Sequence, residues 1–207
     1  MNLEELERVT YNMEQGSPEW FEARKYVLTA SNATAIGNAG AGLKTYVKKL
    51  LSKEISDEET YTSKDIERGN ELEPIARLKY QFEYGVEVEE VGFISAGGVF
   101  GCSPDGLIGE DGGLEIKARN NEKHLELLLG NGIDSSTHWQ IQMSLYVTGR
   151  EWWDFVSYNP NFKNSLYRER VFRDEAKIEK LKKGIVAGKE LLDEYMGKLK
   201  DIKEIEL

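Results

Sequence analysis

Residues 101–118, GCSPDGLIGEDGGLEIKA, hold the pattern on which the rest of the fold depends. From Leu114 the residues alternate. Leu114, Ile116 and Ala118 fall on one side of an extended chain, and Glu115 and Lys117 on the other. A period of two marks a half-buried strand, because successive side chains leave opposite faces. Gly112-Gly113 ahead of it, and Pro104-Asp105-Gly106 before that, have the composition of turns rather than helix. A hairpin is therefore predicted, with Asp105 at the end of its first arm, beside Glu115 and Lys117.

Two carboxylates and one ammonium converging from a rigid sheet suit metal-assisted cleavage of a phosphodiester. Hard divalent cations prefer carboxylate oxygens. One ion or a pair stabilises in-line displacement at phosphorus, and a lysine orients or activates the attacking water. The same Glu-x-Lys pattern also fits a surface hairpin whose charges face solvent. On these residues alone both readings stand.

Bulk properties narrow the field. The chain has 207 residues, 40% of them hydrophobic, which is enough for one domain with a real core. The expectation is a single domain over 1–207, with a catalytic core at about 15–160 and a C-terminal helix at about 174–199. No apolar run is long enough to cross a bilayer, and MNLEELERVT at the start is too acidic for a secretory signal. A cytoplasmic protein with no membrane partner is expected. Cys102 stands alone, which excludes an internal disulfide and a thiolate metal cluster, and it is expected as a small buried residue. The net charge of -10 argues against a protein that is basic all over. It leaves nucleic acid open as a substrate, since positive charge can be confined to a groove while carboxylates collect metal.

Along the chain, a short helix is expected at Leu3–Val9. Ser17 and Pro18 suit the cap and first position of a helix whose buried side would be Trp20, Ala23 and Val27, with Arg24 near Trp20. Gly37 to Gly42 suggests a flexible loop. Leu43 to Leu51 is helical, with Lys44, Lys48, Lys49 and Lys53 forming either a solvated face or a surface for DNA backbone. Ser52 to Thr62 is acidic, loop or irregular helix. Leu72, Ile75, Leu78 and Phe82 recur at helical spacing within 66–84. Pro74 is poor inside a helix, so that helix is expected to begin near Leu72 or Glu73, placing Glu73 in its first turn. Strand material follows at 86–91 and 92–96, then a Gly97-Gly98 turn. Further helices are expected at Asn121–Leu129 and, capped by Ser135 or Ser136 and stopped by Gly149, at Thr137–Val147. Gln140 and Gln142 would be buried there and need partners. Strands at Trp152–Tyr158 and Leu166–Phe172 precede a long helix from Asp174 to about Leu199. The natural packing is α/β or α+β, a central mixed sheet flanked by helices.

Several blocks go beyond a generic pattern: Trp20-x-x-x-Arg24 with Thr29-Ala30-Ser31, Arg68-Gly-Asn-Glu-Leu-Glu73-Pro, Ser103-Pro-Asp105-Gly and Glu115-Ile-Lys117. Gln140-Ile-Gln142, Tyr146-Val-Thr-Gly and Phe155-Val-Ser-Tyr-Asn-Pro160 continue the series. Together, over roughly Gln15 to Leu199, the chain resembles the phage exonucleases of the lambda exonuclease type. These are the YqaJ-like viral recombinase nucleases, within the restriction-endonuclease-like superfamily.

The resemblance implies a restriction-endonuclease-like core and a set of roles. Asp105, Glu115, Glu73 and the Ile116 carbonyl would hold one or two Mg²⁺ ions, with Mn²⁺ able to substitute. Lys117 would position or activate water, and Gln140 would contact the water, Lys117 or the scissile phosphate. Arg24, Ser31 and Ser103 would grip a terminal 5′-phosphate. Family members digest one strand of linear duplex DNA 5′ to 3′, leaving a 3′ overhang for a single-strand annealing protein. They form rings of three around DNA, and a phage or prophage gene acting in a bacterial host would be the source. Each residue also has a plainer role: Glu73 as a helix N-terminal charge, Ser31 as a cap, Arg24 in a surface ion pair. Likewise Gln140 would be a core amide and Ser103 part of a turn. His124 and His138 are not spaced as a zinc pair and are expected at the surface or beside the site, while Trp139 and Tyr146 fit core. Other functions on the same fold are a structure-specific or endonucleolytic DNase, and a DNA-binding module without catalysis.

Overall fold

The computed structural model describes residues 1–56 and 64–200. Seven α-helices and eight strands are found among them, beginning with a 3-10 turn at Leu3–Glu5 and strand β1 at Arg8–Tyr11. Helix α1 (Pro18–Ala23), strand β2 (Leu28–Thr29), a second 3-10 turn (Ala30–Asn32) and helices α2 (Ala33–Asn38), α3 (Ala41–Ile55) and α4 (Lys64–Tyr84) follow. Strands β3 (Phe93–Ala96), β4 (Phe100–Cys102), β5 (Gly106–Ile108) and β6 (Gly112–Lys117) form the middle of the chain. Helices α5 (Asn121–Leu128) and α6 (Ser135–Thr148), strands β7 (Trp152–Tyr158) and β8 (Leu166–Phe172), and helix α7 (Glu175–Lys200) complete it.

The expected α+β class is borne out, and the strands divide into two mixed sheets. One has the order β1-β3-β4-β2, antiparallel except where β2 runs parallel to β4. The other has the order β5-β6-β7-β8, with β6 and β7 parallel between two antiparallel neighbours. Residues 101–118 are thus not one hairpin. Strand β4 belongs to the first sheet, Ser103-Pro104-Asp105 carries the chain across, and the hairpin proper is β5–β6 in the second. It turns at Gly109, whose φ of +53 suits glycine. Arg150 Nη1 donates to the carbonyls of Gly109 and Gly112 at 2.8 and 2.7 Å, pinning this turn.

The second sheet is covered on both faces. Leu114, Ile116, Val156 and Tyr158 face Ala76 and Tyr80 of α4. Trp153, Phe155 and Val171 join the larger core with Ile141, Met143 and Leu145 of α6 and Ile178, Leu181 and Ile185 of α7. Burial on both faces is ordinary for a parallel pair at the centre of a sheet. It makes Glu115 on β6 an interior charge, 1% exposed, while Lys117 at the strand's end is partly exposed. Asp154 on β7 is also buried. Its register partner Arg170 binds both its oxygens at 2.7 and 2.9 Å, and the Tyr80 hydroxyl donates to it at 2.7 Å. That network fastens α4 to the sheet.

Several expectations are corrected. The N-terminus forms a 3-10 turn and a strand instead of a helix, because Val9-Thr10-Tyr11 suits an extended chain and β3 offers an edge to pair with. Helix α1 is capped by Ser17, as expected, but stops at Ala23, so Val27 lies beyond it and none of its residues is buried. The Gly37–Gly42 segment is mostly helical: α2 ends at Asn38, Ala39 adopts φ +48, and α3 starts at Ala41. Of the acidic stretch at 52–62, the first residues continue α3 to Ile55 and residues 57–62 lie outside the described residues. Helix α4 does not start at Glu73; Pro74 is inside it. The ring is tolerated because Pro74 and Asn70, whose carbonyl loses its helical partner, both lie at the surface. The apolar residues Ile75, Leu78 and Phe82 face outward, and α4 buries Ala76, Arg77 and Tyr80 instead. Helix α6 is capped by Asp134 rather than Ser135 or Ser136, its Oδ1 accepting from Thr137 N at 2.9 Å. His124 is buried, bonded to Ser157 Oγ at 2.9 Å and the Asn164 carbonyl at 2.8 Å.

Candidate active site

Strand β6 supplies the centre. Its alternation holds: Leu114 and Ile116 face α4, while Glu115 and Lys117 leave the other side of the strand. The ammonium of Lys117 meets Glu115 Oε1 at 2.5 Å, and Gln140 Nε2 of α6 donates to the same oxygen at 2.7 Å. Of the two glutamines on α6, Gln140 is the one bonded to Glu115. Gln142 satisfies the core instead, donating to the Phe172 carbonyl at 2.8 Å and accepting from Asp174 N at 2.7 Å.

The link between the sheets supplies Asp105. Its backbone N–H bonds the Leu114 carbonyl at 3.2 Å, and its Oδ2 accepts from Ile116 N at 2.5 Å. Burial raises its carboxyl pKa well above the ordinary range, and the charges of Glu115 and Glu73 push the same way. Helix α4 supplies Glu73, from well inside the helix rather than its first turn, so the helix-end dipole does not account for it. Burial raises Glu73 too; nearby Arg77 opposes the shift and Glu115 adds to it. The neighbouring Glu115 holds the Lys117 ammonium firmly protonated.

Glu73, Asp105, Ile116 and Lys117 line a cleft of about 360 Å³, with Arg68 and Arg119 along its wall. Arg119 also binds Asp134 and donates to Thr137 Oγ1 at 3.0 Å, tying the exit of β6 to the start of α6. Among the described residues, no three acidic, imidazole or thiol side chains are closed around one point as a ready-made cage. Each carboxylate is held by a protein donor. The donor set still fits a hard divalent cation: Glu73, Asp105 and Glu115 are oxygen donors, and the pKa values of Asp105 and Glu73 are raised by burial first and by the neighbouring carboxylates second.

A second group lies around Ser103. Arg24 Nη1 donates to Ser103 Oγ at 2.7 Å, and Trp20 Nε1 donates to the same oxygen at 3.0 Å. The guanidinium stacks 4.0 Å from the Trp20 ring centroid and 5.4 Å from that of Phe93. Burial lowers its pKa to about 10, which leaves it charged at neutral pH. Parallel pairing sets Thr29 opposite Gly101, so Ser31 and Ser103 each lie two residues beyond a paired position. No hydrogen bond joins Ser31 to Arg24 or Ser103; Ser31 Oγ bonds Thr29 Oγ1 at 3.1 Å and Asn32 Nδ2 at 3.3 Å. Ser31 is exposed.

Cys102 is buried and its thiol is pushed up to about 12 by that burial, which makes it inert packing. Trp139 and Tyr146 are core. Of the basic patch on α3, Lys53 lies 4.8 Å from the Phe21 ring centroid. Arg77 was not anticipated from the sequence, although its spacing of four from Glu73 on a helix is the signal that would have found it.

A family model, the YqaJ-like viral recombinase domain, matches residues 19–151. Among solved structures, the chain is similar to an alkaline exonuclease (LHK-Exo) from Laribacter hongkongensis. Identity is 33% and the TM-score 0.82, covering 90% of this chain and 98% of that one. LHK-Exo in complex with dAMP matches at 32% identity and a TM-score of 0.81 over the same shares. A phage related exonuclease from Haemophilus somnus 129PT is 13% identical over 84% of this chain and 96% of its own, and with a TM-score of 0.63 shares the fold. No curated protein sequence matches the chain significantly.

Proposed function

The chain belongs to the YqaJ-like viral recombinase family, and from that premise we propose that it is a DNA exonuclease. In this reading it digests one strand of linear duplex DNA 5′ to 3′ with Mg²⁺. The observation that carries it is the buried carboxylate of Glu115, bonded by Lys117 and Gln140 and flanked by Asp105 and Glu73 on one cleft. Carboxylates buried together are costly, and such arrangements are concentrated at functional sites. The relation to LHK-Exo, an alkaline exonuclease 33% identical over nearly its whole length, supports the same reaction here.

Glu73, Asp105, Glu115 and the Ile116 carbonyl would hold the cation, Mg²⁺ or in its place Mn²⁺, as one ion or two. When bound, a divalent ion supplies Lewis-acid charge to the phosphate and makes bound water a better nucleophile. Lys117, held protonated by Glu115, serves as a hydrogen-bond donor to water and to a phosphate oxygen rather than as a base. Gln140 keeps Glu115 in place through its amide N–H. Arg24 binds the terminal 5′-phosphate, since a planar guanidinium bonds two phosphate oxygens at once. Its stacking on Trp20 orders it beforehand. Ser103 joins the two groups, being hydrogen-bonded to Arg24 and two residues from Asp105. Ser31, in the 3-10 turn after β2, would add its hydroxyl to the phosphate.

The wider reading is a single catalytic domain over 1–207 that works in the cytoplasm of a bacterial host as a homotrimer around DNA. It would leave 3′ overhangs for a phage single-strand annealing protein. Among the described residues, no helix is long and apolar enough to cross a membrane. The test compares 5′-phosphorylated, 5′-hydroxyl and circular duplexes with Mg²⁺, following which strand shortens. Faster loss of the 5′-phosphorylated strand from its 5′ end supports the proposal. Cleavage of circles, or indifference to the 5′ group, points to an endonucleolytic or structure-specific DNase instead.

A further inference from the structure

Arg77 lies one helical turn beyond Glu73 on α4 and is 9% exposed. Its guanidinium is divided among three partners. Nη2 donates to Glu73 Oε1 at 2.6 Å, Nε to the main-chain carbonyl of Asp105 at 3.0 Å, and Nη1 pairs with Glu90 Oε2 at 2.5 Å. The first two belong to different parts of the fold: Glu73 to the helix, Asp105 to the link between the sheets. Arg77 is thus a direct connection between the two residues that approach the cleft from outside β6.

We propose that Arg77 is a positioning residue that fixes Glu73 and the Asp105 segment in one register, so that Oε2 of Glu73 is the oxygen left to serve a cation. This rests on the reading of Glu73 and Asp105 as cation ligands. A guanidinium is planar, and its N–H directions are set relative to one another, so satisfying one partner places the other. An ammonium has the charge without that rigidity and cannot span the carboxylate and the carbonyl in the same way. Free carboxylates must be ordered when they take up an ion, and a partner that orders them in advance removes part of that cost. Loss of such an outer contact typically weakens metal binding by about 10- to 100-fold.

The experiment titrates the DNA-free protein with Mn²⁺ and measures free Mn²⁺ by electron paramagnetic resonance, so that binding is read without turnover. Arg77→Gln is expected to raise the Mn²⁺ Kd at least about tenfold. Arg77→Lys should resemble it despite keeping the charge. In an E73Q background, R77Q should add little, because the two residues act as one unit. Thermal melts and duplex binding in EDTA report whether each variant is folded. If R77Q melts below the assay temperature, R77K decides. Folded variants with the wild-type Kd overturn the proposal, as does full recovery by R77K, which would reduce Arg77 to a charge. Unfolding of both single variants overturns it too, since Arg77 would then serve the fold. Absence of Mn²⁺ binding by the wild type is a separate outcome, and strikes at the cation reading of the site itself.

Discussion

Asp105 sits half-buried beside two further carboxylates, with Lys117 and Arg77 as the nearby cations, so the cluster carries more negative than positive charge. In Asp105→Asn the amide oxygen can still accept from Ile116 N, whose bond to Asp105 Oδ2 is 2.5 Å, while the charge is removed. Removing an imperfectly compensated charge while keeping its hydrogen bond should stabilise the metal-free protein by about 1–2 kcal/mol. At about 2–4 °C per kcal/mol for a chain of this size, Tm should rise by about 2–8 °C. The sign with pH follows from the raised carboxyl. Between the unfolded and folded pKa values the native state binds more protons than the unfolded one, so wild-type stability falls as pH rises through that window. The advantage of Asn should therefore grow from acid to pH 8 and vanish below the unfolded carboxylate pKa. Added Mg²⁺ should reverse the order, since an ion at a hundredfold excess over its Kd stabilises the wild type by about 2.7 kcal/mol and leaves the variant little changed. The assay is thermal unfolding in EDTA and in Mg²⁺ at several pH values, alongside duplex digestion. A variant less stable than wild type in EDTA at pH 8 would refute the view of Asp105 as a strained charge kept for function.

Arg24→Gln should leave the carboxylate site intact and reduce the preference for 5′-phosphorylated over 5′-hydroxyl ends by about 10- to 100-fold, the worth of one hydrogen bond to a charged group; the ratio of initial rates on the two ends measures it. Tyr80→Phe removes the 2.7 Å hydrogen bond to buried Asp154, and denaturant unfolding should show a loss of about 1–2 kcal/mol. Gly184→Ala should be costlier than its size suggests, because a Cβ there would meet the Ile36 carbonyl oxygen at 1.8 Å and force α7 away from α2. Overpacking of this kind costs about 1–3 kcal/mol, measurable in the same unfolding assay.

What the sequence revealed tracks how local each determinant is. The faces of β6 were legible because a period of two needs only neighbouring residues, and the Glu115–Lys117 contact follows from it. The proximity of Asp105 needed the antiparallel β5–β6 register, which the glycine-rich turn announced. The fate of 101–118 as parts of two sheets was not legible, since nothing in Ser103-Pro104-Asp105 distinguishes a turn from a crossing. Helix α4 misled for a related reason. Its apolar residues Ile75, Leu78 and Phe82 mark a helix but not its inner face, because the inner face holds Arg77 and Tyr80, whose partners include Asp105 and Asp154. Polar groups were drawn inside by groups distant in sequence, and burial followed them. His124 is the same case: its partners lie 33 and 40 residues away. The blocks that carried the family resemblance draw on α4, the inter-sheet link, β6 and α6 together, which no single pattern does.

In the proposed reading, the cleft between β6, α4 and the start of α5 cuts phosphodiesters, with Lys117 at its heart. Digestion of linear, 5′-phosphorylated duplex in Mg²⁺ by wild type and Lys117→Ala tests it most directly, with binding to the same duplex in EDTA as the check on folding. Losing a preorganised donor to developing charge typically costs about 10²- to 10³-fold in rate, so K117A should bind DNA as the wild type does and digest it slower by at least that factor. Digestion by K117A at the wild-type rate would place Lys117 outside the chemistry and the cleft with it.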